Sequence, residues 1–153
     1  MDDLDEKILS EIQYNFPINV NPYGIIAERI GLSTDELWSR ILKLFESGII
    51  RRIGVSLDSR KLGFSSTLAA VRVAPEIVDM ASAIINKYHE VTHSYQRKAE
   101  YNIWFTLIAE NDTRIEEILD EIQIALSLST SDILNLPVKE LFKLDARFKT
   151  AKQ

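Results

Sequence analysis

VTHSYQRKAEYNIWFTLIA, residues 91–109, is the stretch that decides the fold. Two runs of alternating polarity flank a polar break at Lys98-Ala99-Glu100, which is the pattern of a β-hairpin. Side chains of an extended strand alternate between faces, so His93, Tyr95 and Arg97 share one face of the first strand. A two-residue turn at Ala99-Glu100, with Lys98 opposite Tyr101, pairs residues whose numbers sum to 199. Arg97 then lies beside Asn102, Tyr95 beside Trp104 and His93 beside Thr106. Tyr101, Ile103, Phe105 and Leu107 fall on the other face and read as core. One face is therefore oily, and the other carries a cation, an imidazole, a phenol, an amide and an indole. Five hydrogen-bonding side chains on one sheet face point to a ligand site, although a half-exposed sheet surface has the same pattern. A slip of one residue would move the second strand's set to the wrong face.

Outward from the hairpin, the second half of the chain reads strand (66–74), helix (76–88), strand (91–98), strand (101–110), helix (112–126), strand (133–143). Ile77, Met80, Ala81, Ile84 and Tyr88 line one helix, and Ile115, Ile118, Leu119, Ile122 and Ala125 the other, each at helical spacing. The order βαββαβ is the ferredoxin-like arrangement, in which two helices cover one face of the sheet. The opposite face is left for a partner.

The first half is helical. Leu4, Ile8 and Ile12 recur at helical spacing after an expected capping box of Asp3 with Glu6. Two prolines and several turn formers interrupt the chain over 15–22, a short helix follows over 23–30, and Gly31-Leu32-Ser33 turns it again. Ser33 with Glu36 opens a third helix lined by Leu37, Ile41, Leu44 and Phe45, which Gly48 ends. Ala27, Gly31 and the capped third helix have the spacing of a helix-turn-helix. The β-rich run 49–57 follows in the place of a wing. The expected organisation is α+β: a winged helix-turn-helix domain over 1–57, a linker over 58–65, a ferredoxin-like αβ domain over 66–143 and a polar tail over 144–153.

Composition limits the function. With 153 residues, 46% hydrophobic and 27% charged, the chain has the make-up of a soluble globular protein. It contains no cysteine, which excludes disulfides, thiolate metal sites and cysteine nucleophiles. No apolar run approaches the roughly 20 residues of a membrane span, and the acidic start MDDLDEK is unlike a signal peptide, so a cytoplasmic location is expected. The net charge of −5 is unevenly distributed. Residues 1–50 hold nine acids against four bases, whereas 51–64 hold Arg51, Arg52, Arg60 and Lys61 against Asp58 alone. Binding to nucleic acid needs clustered cations and polar readers on the third helix. That helix offers Arg40 and Lys43 among Asp35, Glu36 and Glu46, so DNA is not the expected partner.

The two-domain pattern resembles the leucine-responsive (Lrp/AsnC) regulators over nearly its full length. Leu4-Asp5-Glu6-Lys7-Ile8-Leu9, Ala27–Ser33, Gly48-Ile49-Ile50 and Leu62-Gly63 carry that resemblance. Other residues are similar to the siroheme decarboxylases, a branch with the same architecture: Arg51-Arg52-Ile53-Gly54, Lys61-Leu62-Gly63-Phe64, His93-Ser94-Tyr95-Gln96-Arg97 and Glu100–Leu107. The Trp104-Phe105-Thr106-Leu107 run resembles the α-type subunit; the Cys-Met-Ile-His-like run of the β-type subunit is lacking. The resemblance implies removal of the C12 and C18 acetate carboxyl groups of siroheme, giving 12,18-didecarboxysiroheme on an alternative route to haem or d1 haem. It also implies a heterodimer with a β-type subunit. The alternative is an Lrp/AsnC-type transcription regulator that binds DNA and a small effector.

The implied substrate carries eight carboxylates, for which bidentate arginine is the best partner. Arg51, Arg52 and Arg97 are the candidates, with Arg60 and Lys61 behind them. Adjacent in a strand, Arg51 and Arg52 face opposite ways, so only one reaches a common ligand unless the chain bends at Gly54. Tyr95 and Trp104 offer surface for the macrocycle. Asn102 is a further substrate-binding candidate, and with Tyr101 it reads equally well as a turn former. Loss of CO2 leaves a carbanion-like centre that the conjugated ring stabilises and that must then be protonated. His93 is the candidate catalytic residue, as general acid, as axial ligand to the substrate's iron or as carboxylate contact, and the sequence leaves all three open. His89, at an expected helix end, reads as a cation favoured by the helix dipole. No cofactor is expected, since the iron arrives with the substrate.

Overall fold

The computed structural model of the protein describes residues 1–145 and 147 and divides the chain into two compact units. The first comprises residues 1–56 together with 143–145 and 147; the second comprises 57–142.

In the first unit, three helices, α1 (Asp3–Tyr14), α2 (Pro22–Ile30) and α3 (Thr34–Glu46), close around Ile8, Leu9, Ile26, Ala27, Leu37, Ile41, Leu44 and Ile50. The capping box of α1 is formed by Asp2 and Asp5, one residue earlier than expected: Asp5 N–H donates to the Asp2 carboxylate and Asp2 N–H to that of Asp5, both at 2.9 Å. Several acids in a row offer more than one box, and the start of the helix decides among them. Gly31 ends α2 at φ 76°, in the left-handed region that only glycine adopts without steric cost, and Leu32 N–H returns to the Ala27 carbonyl. Ser33 caps α3 by accepting from Glu36 N–H. The Glu36 carboxylate points to Arg40 at 3.7 Å instead of closing the box.

The run 50–58 contains no strand, contrary to the expected wing. Ile, Val and Leu favour strands only where a neighbouring strand pairs with them. Among the described residues of this unit none does so, and Val55 is left 84% exposed.

In the second unit, β1 (Ser65–Val71), β2 (Val91–Gln96), β3 (Ile103–Ala109) and β4 (Ile133–Pro137) form one antiparallel sheet in the order β2-β3-β1-β4. Helices α4 (Val78–Ile85) and α5 (Asp112–Ala125) cover one face, so the arrangement is the expected ferredoxin-like α+β fold. Two expected elements are shorter than read: the helix expected over 76–88 runs Val78–Ile85 behind a 3-10 turn at Pro75–Ile77, and the strand expected over 133–143 stops at Pro137. On the covered face Ala69, Val71, Ile103, Phe105 and Leu107 pack against Ala81, Ile85, Ile115, Ile118 and Ile122. The expected linker contains a 3-10 turn, Ser59–Leu62, ended by Gly63 at φ 88°.

Strand alternation sends Leu68, Ala70, Trp104, Thr106, Leu134 and Leu136 to the uncovered face. Leu68 and Leu136 are 40% and 43% exposed there, a large apolar area for one sheet surface.

Candidate functional site

Strands β2 and β3 pair as expected over the hairpin's arms: His93 lies opposite Thr106, Tyr95 opposite Trp104, and Arg97 N–H donates to the Asn102 carbonyl at 2.9 Å. The turn is wider than two residues, since pairing ends at Arg97 and Asn102 and the chain bends through 98–101. Tyr101 is not a core residue. Its hydroxyl donates to the Ser131 carbonyl at 2.8 Å, and its own carbonyl accepts from the Trp104 indole N–H at 2.8 Å.

The uncovered face brings four candidates together. The rings of His93 and Tyr95 lie nearly parallel at 14°, with centroids 6.3 Å apart. The Arg97 guanidinium stands 5.6 Å from the Trp104 ring centroid, in cation–π range. Among the described residues no carboxylate pairs with Arg97, so its fork is available to an anion. His93 and Tyr95 are exposed and Trp104 is half-buried. An aromatic, cationic row thus runs from the β2 edge into the apolar ground of Leu68, Ala70, Leu134 and Leu136.

Asn102 works from behind this row. Its amide accepts from Val73 N–H at 3.0 Å and donates to the Val73 carbonyl at 2.8 Å, while its backbone N–H reaches the Val71 carbonyl at 3.0 Å. Both ends of the side chain are engaged with backbone, so Asn102 anchors the hairpin to the end of β1. Arg72 holds the tip as well. Its guanidinium pairs with Asp132 and with Glu100, and stacks 5.7 Å from the Tyr101 ring. The Ser129 hydroxyl and the Arg72 guanidinium keep the Asp132 carboxyl below its usual range. Nothing local in the sequence marks Arg72, because its partners lie 28 and 60 residues away.

A β-bulge lies just before the row. Val91 pairs with Leu107 and His93 with Thr106, so Thr92 is the extra residue. The Thr92 hydroxyl lies 3.1 Å from His93 Nδ1 and 3.4 Å from the Thr106 carbonyl oxygen. The alternating pattern gave no sign of this, because one inserted residue leaves the rest of the alternation intact.

Arg51 and Arg52 belong to the first unit. Both are exposed, in irregular chain, and neither has a carboxylate partner among the described residues. Arg60, by contrast, is paired with Asp58 at 3.3 Å. His89 stands beyond the end of α4, whose C-cap is Asn86, so the helix dipole does not explain it; its Nδ1 lies 3.2 Å from the Glu90 carboxylate. Glu90 is buried, which raises its pKa, but its own N–H and Arg114 outweigh that and leave the carboxyl below its usual range. With His89, Arg114 and Phe64 it lines a cleft of about 730 Å³ at the start of α5.

On α3, Arg40 contacts three acids: Asp5 at 2.8 Å, Asp2 at 2.9 Å and Glu36 at 3.7 Å. Hydrogen bonds to Asp2 and Asp5 raise its pKa further. The helix that would read DNA therefore has its central cation neutralised. Among the described residues no cluster of His, Asp and Glu could hold a metal ion, and no helix is long and apolar enough to cross a membrane.

A helical N-terminal unit joined to a four-stranded sheet with one helix-covered face defines the class: a helix-turn-helix followed by an AsnC-like ligand-binding domain. The family model described as the AsnC-like ligand binding domain matches residues 61–143. A crystal structure of an AsnC family transcriptional regulator from Agrobacterium tumefaciens shares this fold, with TM-score 0.76, 24% identity and coverage of 97% of this chain and 96% of that one. Residues 5–51 match the model of the siroheme decarboxylase NirDL-like HTH domain. The siroheme decarboxylase alpha subunit of Nitratidesulfovibrio vulgaris is 40% identical over 97% of this chain and 83% of its own length. A crystal structure of the siroheme decarboxylase NirDL in co-complex with an iron-uroporphyrin III analogue is 30% identical, with TM-score 0.70, covering 88% of this chain and 44% of that one. The chain belongs to the siroheme decarboxylase family.

Proposed function

We propose that this chain is the α-type subunit of a siroheme decarboxylase, a carboxy-lyase that converts the C12 and C18 acetates of siroheme to methyl groups. The observation that carries the reading is the uncovered sheet face, where a guanidinium without a carboxylate partner stacks on an indole beside an imidazole and a phenol. Siroheme is a flat, polycarboxylated ring. Trp104, Tyr95 and the apolar floor of Leu68 and Leu136 suit its plane, and Arg97 suits a carboxylate at its rim.

In this reading the acetate C–C bond breaks, CO2 leaves, and the electron pair is delocalised into the macrocycle until a proton replaces the carboxyl group. The chain positions the ring and offers His93 at its surface. Iron enters with the substrate, and the chain brings no cofactor of its own. Arg51 and Arg52 are assigned as carboxylate-binding residues on their chemistry, being exposed and without carboxylate partners. The exposed Leu68, Tyr95 and Leu136 support a second chain over the sheet, which we assign to a β-type subunit in a cytoplasmic heterodimer.

The test is a titration of iron-containing siroheme into the chain co-purified with a β-type subunit, following the visible spectrum and the mass of the tetrapyrrole. Successive losses of CO2 are expected, and His93→Ala should abolish or strongly slow them. A complex that leaves siroheme intact, or a chain that shifts an operator-length duplex at physiological salt, would favour the regulator instead.

A further inference from the structure

In a regular strand the side chains of neighbouring residues diverge to opposite faces. Thr92 and His93 do not, because the bulge sets both against the single residue Thr106. The consequence is a chain of three polar groups: the Thr106 carbonyl oxygen, the Thr92 hydroxyl and His93 Nδ1. The carbonyl can only accept, and the hydroxyl has one proton. When that proton is directed at the carbonyl, the hydroxyl oxygen is left as an acceptor, and Nδ1 must supply the other hydrogen.

We infer that Thr92 is a positioning residue, whose hydroxyl relays the polarity of the Thr106 carbonyl to His93 and holds the neutral imidazole with its proton on Nδ1. Nε2 then faces the uncovered side of the sheet as a bare lone pair. This deepens the proposed function and rests on it. Of the roles open to His93, a bare Nε2 serves as ligand to the substrate's iron or as acceptor of an acidic proton. It cannot donate to a carboxylate, or to the decarboxylated carbon, until the ring has first gained a second proton. The hydrogen bond at one ring nitrogen thereby sets the chemistry of the other.

The measurement is nitrogen-15 NMR of the ligand-free full chain near pH 8.5, about two units above the ordinary imidazole pKa. His89→Gln removes the chain's other histidine, so the remaining ring is His93. The Nδ1–H form is expected. Thr92→Val keeps the branched shape without the hydroxyl and should move the ring toward the Nε2–H form, and Thr92→Ser should restore it. With the β-type subunit and siroheme, Thr92→Val should lower turnover about 10- to 100-fold, the usual effect of losing an orienting partner of a histidine, while Thr92→Ser retains it. An Nε2–H ring in the parent, or Thr92→Val without effect on tautomer and turnover, overturns the inference. A parent complex inert toward siroheme overturns the decarboxylase reading and the role in turnover with it; the tautomer, measured without ligand, is decided separately.

Discussion

Arg40 and Arg97 occupy the two places where this architecture can meet a polyanion, and they have been treated in opposite ways. Arg40 sits mid-helix in α3 and is closed off by Asp2, Asp5 and Glu36. Arg97 sits at the end of β2 with an indole for a neighbour and no carboxylate among the described residues. A cation already paired with acids must be released before it can bind a phosphate or carboxylate, whereas one resting on a π-face keeps its fork open. The difference supports the proposed function, in which Arg97 meets the anionic ligand and the reading helix does not. A helix-turn-helix can be retained as a fold after its reading helix has been neutralised.

The largest effect that would sharpen this contrast is on binding. Removing one charge-assisted contact costs roughly 1.5–3 kcal/mol, so Arg97→Ala should weaken siroheme binding about ten- to a hundred-fold, while Arg40→Ala leaves it unchanged. Arg97→Lys should recover only part, since an ammonium lacks the planar fork. Spectral titrations of the three variants decide it. Equal losses for Arg97→Ala and Arg40→Ala would remove the distinction between the two regions.

Next in size is the support beneath Arg97. Asn102→Asp keeps the acceptor for Val73 N–H but places a carboxylate oxygen against the Val73 carbonyl, where a donor stood. Loss of such a partly buried bond costs about 1–3 kcal/mol of stability, and urea unfolding should show it as a lower midpoint with an unchanged slope. Unchanged stability would mean that the hairpin is held by the Arg72 network alone.

Much of this was legible in the sequence, and what was not has a common cause. Alternation at 91–109 was enough for the two arms and for placing His93, Tyr95 and Trp104 on one face, because period two is a property of the strand itself. Helical spacing likewise located α1, α3, α4 and α5, and the turn signals on either side of it located α2. The missing wing depended on a pairing partner for 50–58, the anchoring role of Asn102 on Val73, and the bulge at Thr92 on the fit of β2 against β3. Those are contacts between distant residues. A single sequence records the residue types for them, but not the meeting.

The smallest effect tests the Arg40 side of the contrast through pH. The Asp2 carboxyl is held at about 2, against an ordinary 3.8, first by the backbone N–H of Asp5 and then by the Arg40 guanidinium. A carboxyl depressed in the folded state adds stability that is present above its unfolded pKa and is lost as pH falls through the folded one. The window here runs from about 4 down to about 2. Asp2→Asn is the sharpest comparison, because asparagine also caps a helix well and only the charge is removed. The parent should be slightly more stable than the variant at pH 6, and the difference should disappear on acidification through that window. Asp2 is exposed, so the difference will be small and further reduced by salt. If the two proteins differ equally at pH 6 and pH 2, the cap alone explains Asp2. The closed state of Arg40 would then rest on Asp5 and Glu36, leaving the cation easier to release than its three contacts suggest.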